Sequence, residues 1–355
     1  MEFGTYVGDL LKEAEITASA PCRLDVGGTW DLKAFALPLA LLPPVTTNIA
    51  ISMRMRARLR PYRPGWVRVS DGSGAEEFPL EDASLNSRFG LFLAVISFFG
   101  FHGLELSFSY GAPPRSGLGG SGVLTIAAMG ALAEVRRRIA EDDLSREDLV
   151  RLAHDIEDGL RFSYTGMQDQ AAAAYGGVNR WVWKYFSPGE KFEREEIFPK
   201  ELYGELESRL VIAYQGIRHE SSDVNTRQVE GFVTGETRRE WVRINEIASE
   251  FADALSALDW KRSVELLNEE SLIRATVVPE RVTPLAWELN DIASELGCGF
   301  AAAGAGGGGC VWALCPDLER AEELKLRWER KLEWVRDGRV LPVKIDGEGL
   351  RVEGG

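Results

Sequence analysis

Residues 113–122 read P-P-R-S-G-L-G-G-S-G, between a strand-like run at 104–110 (L-E-L-S-F-S-Y) and a helical run of small residues at 123–139. Five of the last six loop residues are glycine or serine, so almost no side-chain bulk keeps a ligand off the backbone. A helix starting just after the loop aims unpaired N–H groups and a partial positive charge back at it. Strand, glycine turn and helix N-terminus together make an anion site, and the usual anion is a phosphate.

Two familiar glycine-loop schemes do not fit. Gly117, Gly119 and Gly122 spell G-x-G-x-x-G, but a dinucleotide fingerprint needs its strand to run straight into the first glycine and an acidic residue about 20 positions on, ending a second strand. Here Pro113-Pro114-Arg115-Ser116 intervenes, and Glu141-Asp142-Asp143 follows a helical run. A Walker A loop needs Lys and then Ser or Thr after its second glycine, where this chain has Val123 and Leu124. A second cluster (Gly304, Gly306, Gly309) repeats the G-x-G-x-x-G spacing but leads into a strand-like run, so it reads as a turn where backbones approach closely.

A chain of 355 residues suggests about two domains. The composition shift at Ser187-Pro188-Gly189 places the boundary near residue 190, giving 1–190 and 191–355. The 41 basic and 55 acidic residues give a net charge of −14, which excludes bulk nucleic-acid binding through a basic face. Four cysteines without C-x-x-C spacing and only three histidines argue against a zinc site and for a reduced, cytoplasmic chain. No signal-peptide layout and no membrane-length apolar run is present.

Residues 46–59 alternate as a strand, with Arg54, Arg56 and Arg58 read as a solvated face. A hairpin is expected around Asp71-Gly72-Ser73-Gly74, and a buried helix over 88–100. Ser145-Arg146-Glu147-Asp148 has the form of a capping box opening a helix whose apolar stripe includes Leu149, Leu152, Ala153 and Ile156. Glu157 borders that stripe and reads equally as an inward-facing or a solvated carboxylate. Asp169 begins an alanine-rich helix, where a carboxylate suits the dipole; Gln168 and Gln170 flank it with no obvious structural need. Further helices are expected near 223–234, 237–258, 260–274, 284–296 and 317–334, with strands at 210–214, 310–314 and between 340 and 352.

Three segments, taken in order, resemble the motifs of the GHMP small-molecule kinases. Ala20-Pro21-Cys22-Arg23-Leu24-Asp25-Val26-Gly27-Gly28 resembles the first, Pro114-Arg115-Ser116-Gly117-Leu118-Gly119-Gly120-Ser121 the second (P-x-x-G-L-G-x-S), and residues 304–309 the third. Within that family, Glu157, Tyr164-Thr165-Gly166-Met167-Gln168-Asp169-Gln170 and Ala174-Tyr175-Gly176-Gly177 are similar to the sugar-kinase branch of heptose-7-phosphate kinases and the fucokinase kinase domain. The resemblance implies an α+β fold: an N-terminal domain of the ribosomal S5 domain 2 type and a ferredoxin-like C-terminal domain, with the active site in the cleft. It also implies an ATP-dependent sugar kinase that phosphorylates a sugar hydroxyl, the anomeric one, to give a sugar 1-phosphate. The alternatives are a catalytically impaired binding or regulatory protein of the same fold, or a kinase acting on an isoprenoid acid.

Carried over to this sequence, the resemblance places ATP phosphates on Pro114, Gly117, Leu118, Gly119, Gly120, Ser121 and Gly122, and Mg²⁺ on Ser121 and Glu157. Asp169 is the expected acid–base group, with Arg23 as a fixed positive charge beside it. Asp25, Asp31, Gly166, Gln168, Arg218, Gly306 and Gly307 are expected at the substrate, a sugar or sugar phosphate; Arg218 reads equally as a surface residue. A monomer or homodimer is expected. Gly120 and Gly122 stand where the family usually has Ser and Ala, which predicts a looser loop; three alanines (301–303) replace a frequent lysine, which favours an unphosphorylated sugar.

Overall fold

The computed structural model describes residues 4–37, 42–82, 84–160, 165–217 and 221–354, with backbone alone at 221–225. The longest strand, Val45–Pro61, organises the larger of two main sheets. Ile16–Val26 lies antiparallel along one side of it, with a bulge where the register slips between Pro21 and Cys22. Leu104–Tyr110 takes the second half of the other side and Val178–Trp183 the first. The expected hairpin is present as Trp66–Asp71 and Gly74–Pro79 and joins Leu104–Tyr110 in parallel.

Helix Gly120–Ala140 packs across the two longest strands, and Val123, Ile126, Ala127, Ala128, Met129 and Ala131 on it are fully buried. Its small residues let helix and sheet backbones approach closely. Ser145 and Asp148 cap helix Arg146–Gly159 reciprocally, as the sequence predicts, a contribution of about 1 kcal/mol.

The smaller sheet is antiparallel, in the order Gly299–Ala302, Cys310–Leu314, Leu210–Tyr214, Arg339–Leu341. Helices Pro284–Glu295 and Leu318–Leu332 bury Leu289, Leu324 and Trp328 against Phe300 and Val311 of this sheet. Helices Arg238–Ser256 and Trp260–Val277 bridge the sheets. Asn245 Oδ1 accepts from Val45 N at 2.7 Å, and Thr47 Oγ1 donates to Ala248 O at 2.9 Å. Two layered sheets with helices are the α+β arrangement the sequence predicts. Among the described residues no helix is long and apolar enough to cross a membrane.

Strand pairing crosses the expected domain boundary, and one reading, that of Arg54, needs correction. The boundary at residue 190 falls inside a strand pair, since Phe192–Glu196 pairs with Val178–Trp183, and Arg351–Gly354 returns to pair with Ile16–Val26. Phe192–Glu196 is hidden in the sequence because only Phe192 is buried; its four charged residues look like a linker. Arg54 is not on a solvated face. It is half-buried, pairs with Asp346, and donates to Ser19 O and Gly349 O, each at 2.6 Å, pinning the C-terminal segment to the sheet. Arg56 is exposed as expected, while Arg58 pairs with Glu15.

Candidate active site

A cavity of about 1030 Å³ opens beside the glycine loop. The helix after the loop starts earlier than the sequence suggests, at Gly120 with Gly119 as its cap, so Ser121 and Gly122 lie in the first turn. Helix Gln168–Tyr175 begins opposite it and carries Asp169 in its own first turn. Two helix N-termini thus face one region, and both favour negative charge there.

Arg23 joins these parts. It follows the bulge and is almost fully buried. Its Nε and Nη2 meet Asp169 Oδ1 at 2.7 and 2.6 Å, while Nη1 donates to Gly117 O at 2.9 Å and lies 3.1 Å from Asp25 Oδ1. Burial works against its charge, but Asp169 and Asp25 outweigh that and raise its pKa further. Three groups spread over a planar fork are a geometry that lysine cannot reproduce. Asp25 also accepts from Gly304 N at 3.1 Å. Burial pushes the Asp25 pKa up, yet Arg23, Arg274, Arg281 and that N–H together hold it below its ordinary value.

Asp31 lies on the turn that follows, where Thr29 takes a left-handed φ of 89°. A β-branched residue there stores strain of about 1–3 kcal/mol. Thr29 N and Gln168 N donate to the two oxygens of Asp31 at 3.2 and 3.1 Å. An aromatic cluster holds the turn: Trp30 Nε1 donates to Trp241 O at 2.8 Å, and its ring packs edge-on against Phe35 and Phe232.

Burial and the nearby Asp169 charge push the Asp31 carboxyl up to about 6 from the ordinary 3.8. Folding therefore favours its protonated form. That contribution is complete below the unfolded value and is lost as pH rises through about 6. Asp31→Asn cannot titrate, so it is expected to gain about 3 kcal/mol on the wild type between about pH 4 and about pH 7. Urea unfolding of both proteins at the two pH values checks this; a constant difference would contradict the shift.

Ser121 Oγ donates to Glu157 Oε1 at 3.2 Å, so the paired side chains expected at a cation do meet, and Glu157 faces inward. Two hard oxygens beside the glycine loop fit Mg²⁺, which takes few protein ligands and keeps phosphate and water oxygens. Among the described residues no cluster of three or more His, Cys, Asp or Glu side chains could hold a metal alone.

Pro114, Gly117, Gly119, Gly120, Ser121, Gly122, Arg23, Asp25, Asp31, Glu157, Gly166, Gln168 and Asp169 all line the cavity. Leu118 does not. Its side chain is in the core, and its carbonyl accepts from Arg23 N at 3.2 Å. Gly306 and Gly307 do not line it either; Gly307 N donates to Arg281 O at 2.6 Å, so this part of the third motif braces a loop. Arg218 lies outside the described residues. Gly122 is crowded rather than loose: a β-carbon there would lie 2.8 Å from Asp169 Cβ.

The third glycine motif supports the first loop backbone to backbone. Cys310 N donates to Ser116 O at 2.7 Å, and a β-carbon on Gly304 (φ 61°) would lie 2.5 Å from Gly117 O. Gly304→Ala is therefore expected to cost about 2–4 kcal/mol, from the left-handed backbone and the clash together. Chemical denaturation measures it, and a loss below about 1 kcal/mol would mean that the two loops do not hold each other.

Sequence reasoning missed Glu270, Arg274 and Arg281. Glu270 Oε1 accepts from Gly27 N at 3.2 Å and lies 2.5 Å from Arg274 Nε; Arg274 also donates to Gly28 O. Arg281 donates to Gly304 O at 2.6 Å and Ala302 O at 2.7 Å, and burial next to Arg274 pushes it down to about 10. The Glu270/Arg274 spacing was visible, but it is also the spacing of an ordinary surface pair on a helix.

Comparison with known proteins agrees with this geometry. Residues 87–177 match the GHMP kinases N terminal domain and residues 251–333 the GHMP kinases C terminal domain. The chain thus carries both GHMP kinase domains in order and has the two-domain α+β fold of those kinases. The family supports a kinase phosphotransferase, and GHMP kinases use ATP as phosphate donor. The bifunctional fucokinase/GDP-fucose pyrophosphorylase of Arabidopsis thaliana is 27% identical over 240 residues, 65% of this chain but only 22% of that protein. Mevalonate kinase of Pyrococcus horikoshii is 24% identical over 266 residues, 71% of this chain and 69% of that one. Among solved structures, a D-glycero-D-manno-heptose 1-phosphate kinase from Bacteriodes thetaiotaomicron superposes with a TM-score of 0.69 at 18% identity, covering 95% of this chain and 98% of that one. At that identity the likeness speaks for the fold alone.

Proposed function

We propose that the chain is an ATP-dependent sugar kinase that transfers the γ-phosphoryl group to a sugar hydroxyl, the anomeric one, giving a sugar 1-phosphate. The observation that carries the acceptor class is the charge around Asp31 and Asp169. Asp31 and Gln168 offer oxygen acceptors there, and Gln168 Oε1 is buried with no partner. Of the arginines that line the cavity, Arg23, Arg88 and Arg274 already pair with carboxylates, and Arg115 lies on the glycine loop, where the ATP phosphates are proposed to bind. A polyhydroxyl compound supplies the donors such a wall needs, whereas an organic acid needs a free cation.

In this reading the loop N–H groups of residues 117–122 bind the ATP phosphates, and Ser121 and Glu157 hold Mg²⁺. The cation supplies charge neutralisation on the phosphate oxygens. Asp169 takes the proton of the acceptor hydroxyl as its oxygen attacks the γ-phosphorus and ADP leaves. Arg23 holds Asp169 Oδ1 through Nε and Nη2 and so aims the carboxylate. Asp25 braces Arg23 and the third glycine loop, and Asp31, Gly166 and Gln168 border the sugar.

The mevalonate kinase relatives favour a second reading, an isoprenoid acid as acceptor. One assay separates the two: ADP release coupled to a panel of hexoses, heptoses, their phosphates and mevalonate, with NMR of the product. Sugar-stimulated turnover and an anomeric phosphate are expected. Turnover on mevalonate alone would overturn the sugar reading; tight sugar binding without turnover would point to a binding protein.

A further inference from the structure

Gln170 follows the proposed base in sequence, is fully buried, and does not line the cavity. Its Nε2 donates to Glu157 Oε2 at 3.1 Å, while Ser121 Oγ donates to Glu157 Oε1 at 3.2 Å. The Glu157 carboxylate is therefore held at both oxygens, by donors on two other helices. A β-carbon on Gly122 would lie 3.3 Å from the Gln170 amide carbon, closer than ordinary contact. The space that an alanine would fill at position 122 is thus taken up by Asp169 and Gln170 together.

We infer that Gln170 is a positioning residue for the cation: its amide fixes the rotamer of Glu157 so that Oε1 and the Ser121 hydroxyl present a preset pair of oxygens. The inference rests on the placing of Mg²⁺ proposed above. The chemistry suits an amide. A lysine or arginine at 170 would neutralise the carboxylate and compete with the cation. An apolar residue would leave Oε2 buried without this donor. The neutral N–H satisfies one oxygen and leaves the negative charge available. It also ties the cation site to the helix that carries Asp169, so metal and base keep a fixed separation.

The test uses Gln170→Met, which keeps the volume and removes the donor, and Gln170→Asn, whose shorter amide does not span the gap, with Glu157→Gln as reference. Two quantities are read: the Mg²⁺ concentration for half-maximal turnover at saturating ATP, and Mn²⁺ binding to the protein–ADP complex by electron paramagnetic resonance. Both Gln170 variants are expected to weaken metal binding about tenfold in both readouts, with the acceptor KM within about twofold. A merely structural role would leave the metal dependence alone. Unchanged metal binding in either folded Gln170 variant, while Glu157→Gln weakens it, would overturn this inference and leave the proposed site standing. Unchanged binding in Glu157→Gln would instead overturn the placing of the cation.

Discussion

Asp169→Asn is expected to lower kcat by at least about 10²-fold while KM for ATP changes little. Asparagine keeps the shape of the side chain and its place in the first turn of Gln168–Tyr175, but it cannot accept the acceptor's proton. Arg23 stays in place without that charge, because Asp25 and the Gly117 carbonyl still hold Nη1. The loss should therefore fall on turnover rather than on nucleotide binding. Steady-state kinetics with the sugar identified in the acceptor panel give the answer, and near-normal turnover would reject Asp169 as the base.

Arg23→Met is expected to cost about 3–5 kcal/mol of stability and to remove most activity. The large effect comes from what stays behind. The Asp25 side chain is only 2% exposed, and it would keep its charge with Arg274, Arg281 and one N–H as remaining support. Arg23→Lys should recover part of the stability but little of the activity, since one ammonium cannot reach Asp169, Asp25 and Gly117 O together. Adding Asp25→Asn to Arg23→Met should return some of the lost stability by removing the stranded charge. Urea unfolding of the series measures these differences. A loss under about 1 kcal/mol for Arg23→Met would show that the buried cluster is not held by this arginine.

The parts of the site that were legible in the sequence are those written in consecutive residues. The glycine loop, the capping box at Ser145 and the first-turn position of Asp169 each carry local chemistry, and each lies where local chemistry puts it. Glu157 stayed open because a carboxylate beside an apolar stripe can face either way; only the packing of three helices turns it inward. Arg274 and Arg281 were not legible at all. Their partners, Gly28, Ala302 and Gly304, come from distant parts of the chain or from a loop shaped by tertiary contacts, and no spacing encodes that. The Trp30 cluster was hidden for the same reason, since Phe232 and Trp241 lie some two hundred residues further on.

Gly306 and Gly307 make the complementary point. Motif position suggested substrate contact, but the glycines of a motif can serve the motif's own backbone. Here Gly304 touches the glycine loop at Gly117 and Gly307 bonds to Arg281. Residues that share a motif thus divide between the cavity, which Gly304 and Ala305 line, and its bracing, as at Gly307.

The most direct test of the account is a crystal structure with a non-hydrolysable ATP analogue, magnesium and the acceptor sugar. The account predicts the phosphate tail on the N–H groups of residues 117–122, the cation between Ser121 and Glu157, and the acceptor hydroxyl between Asp169 and the γ-phosphorus. A nucleotide bound away from this loop, or an acceptor remote from Asp169, would contradict it.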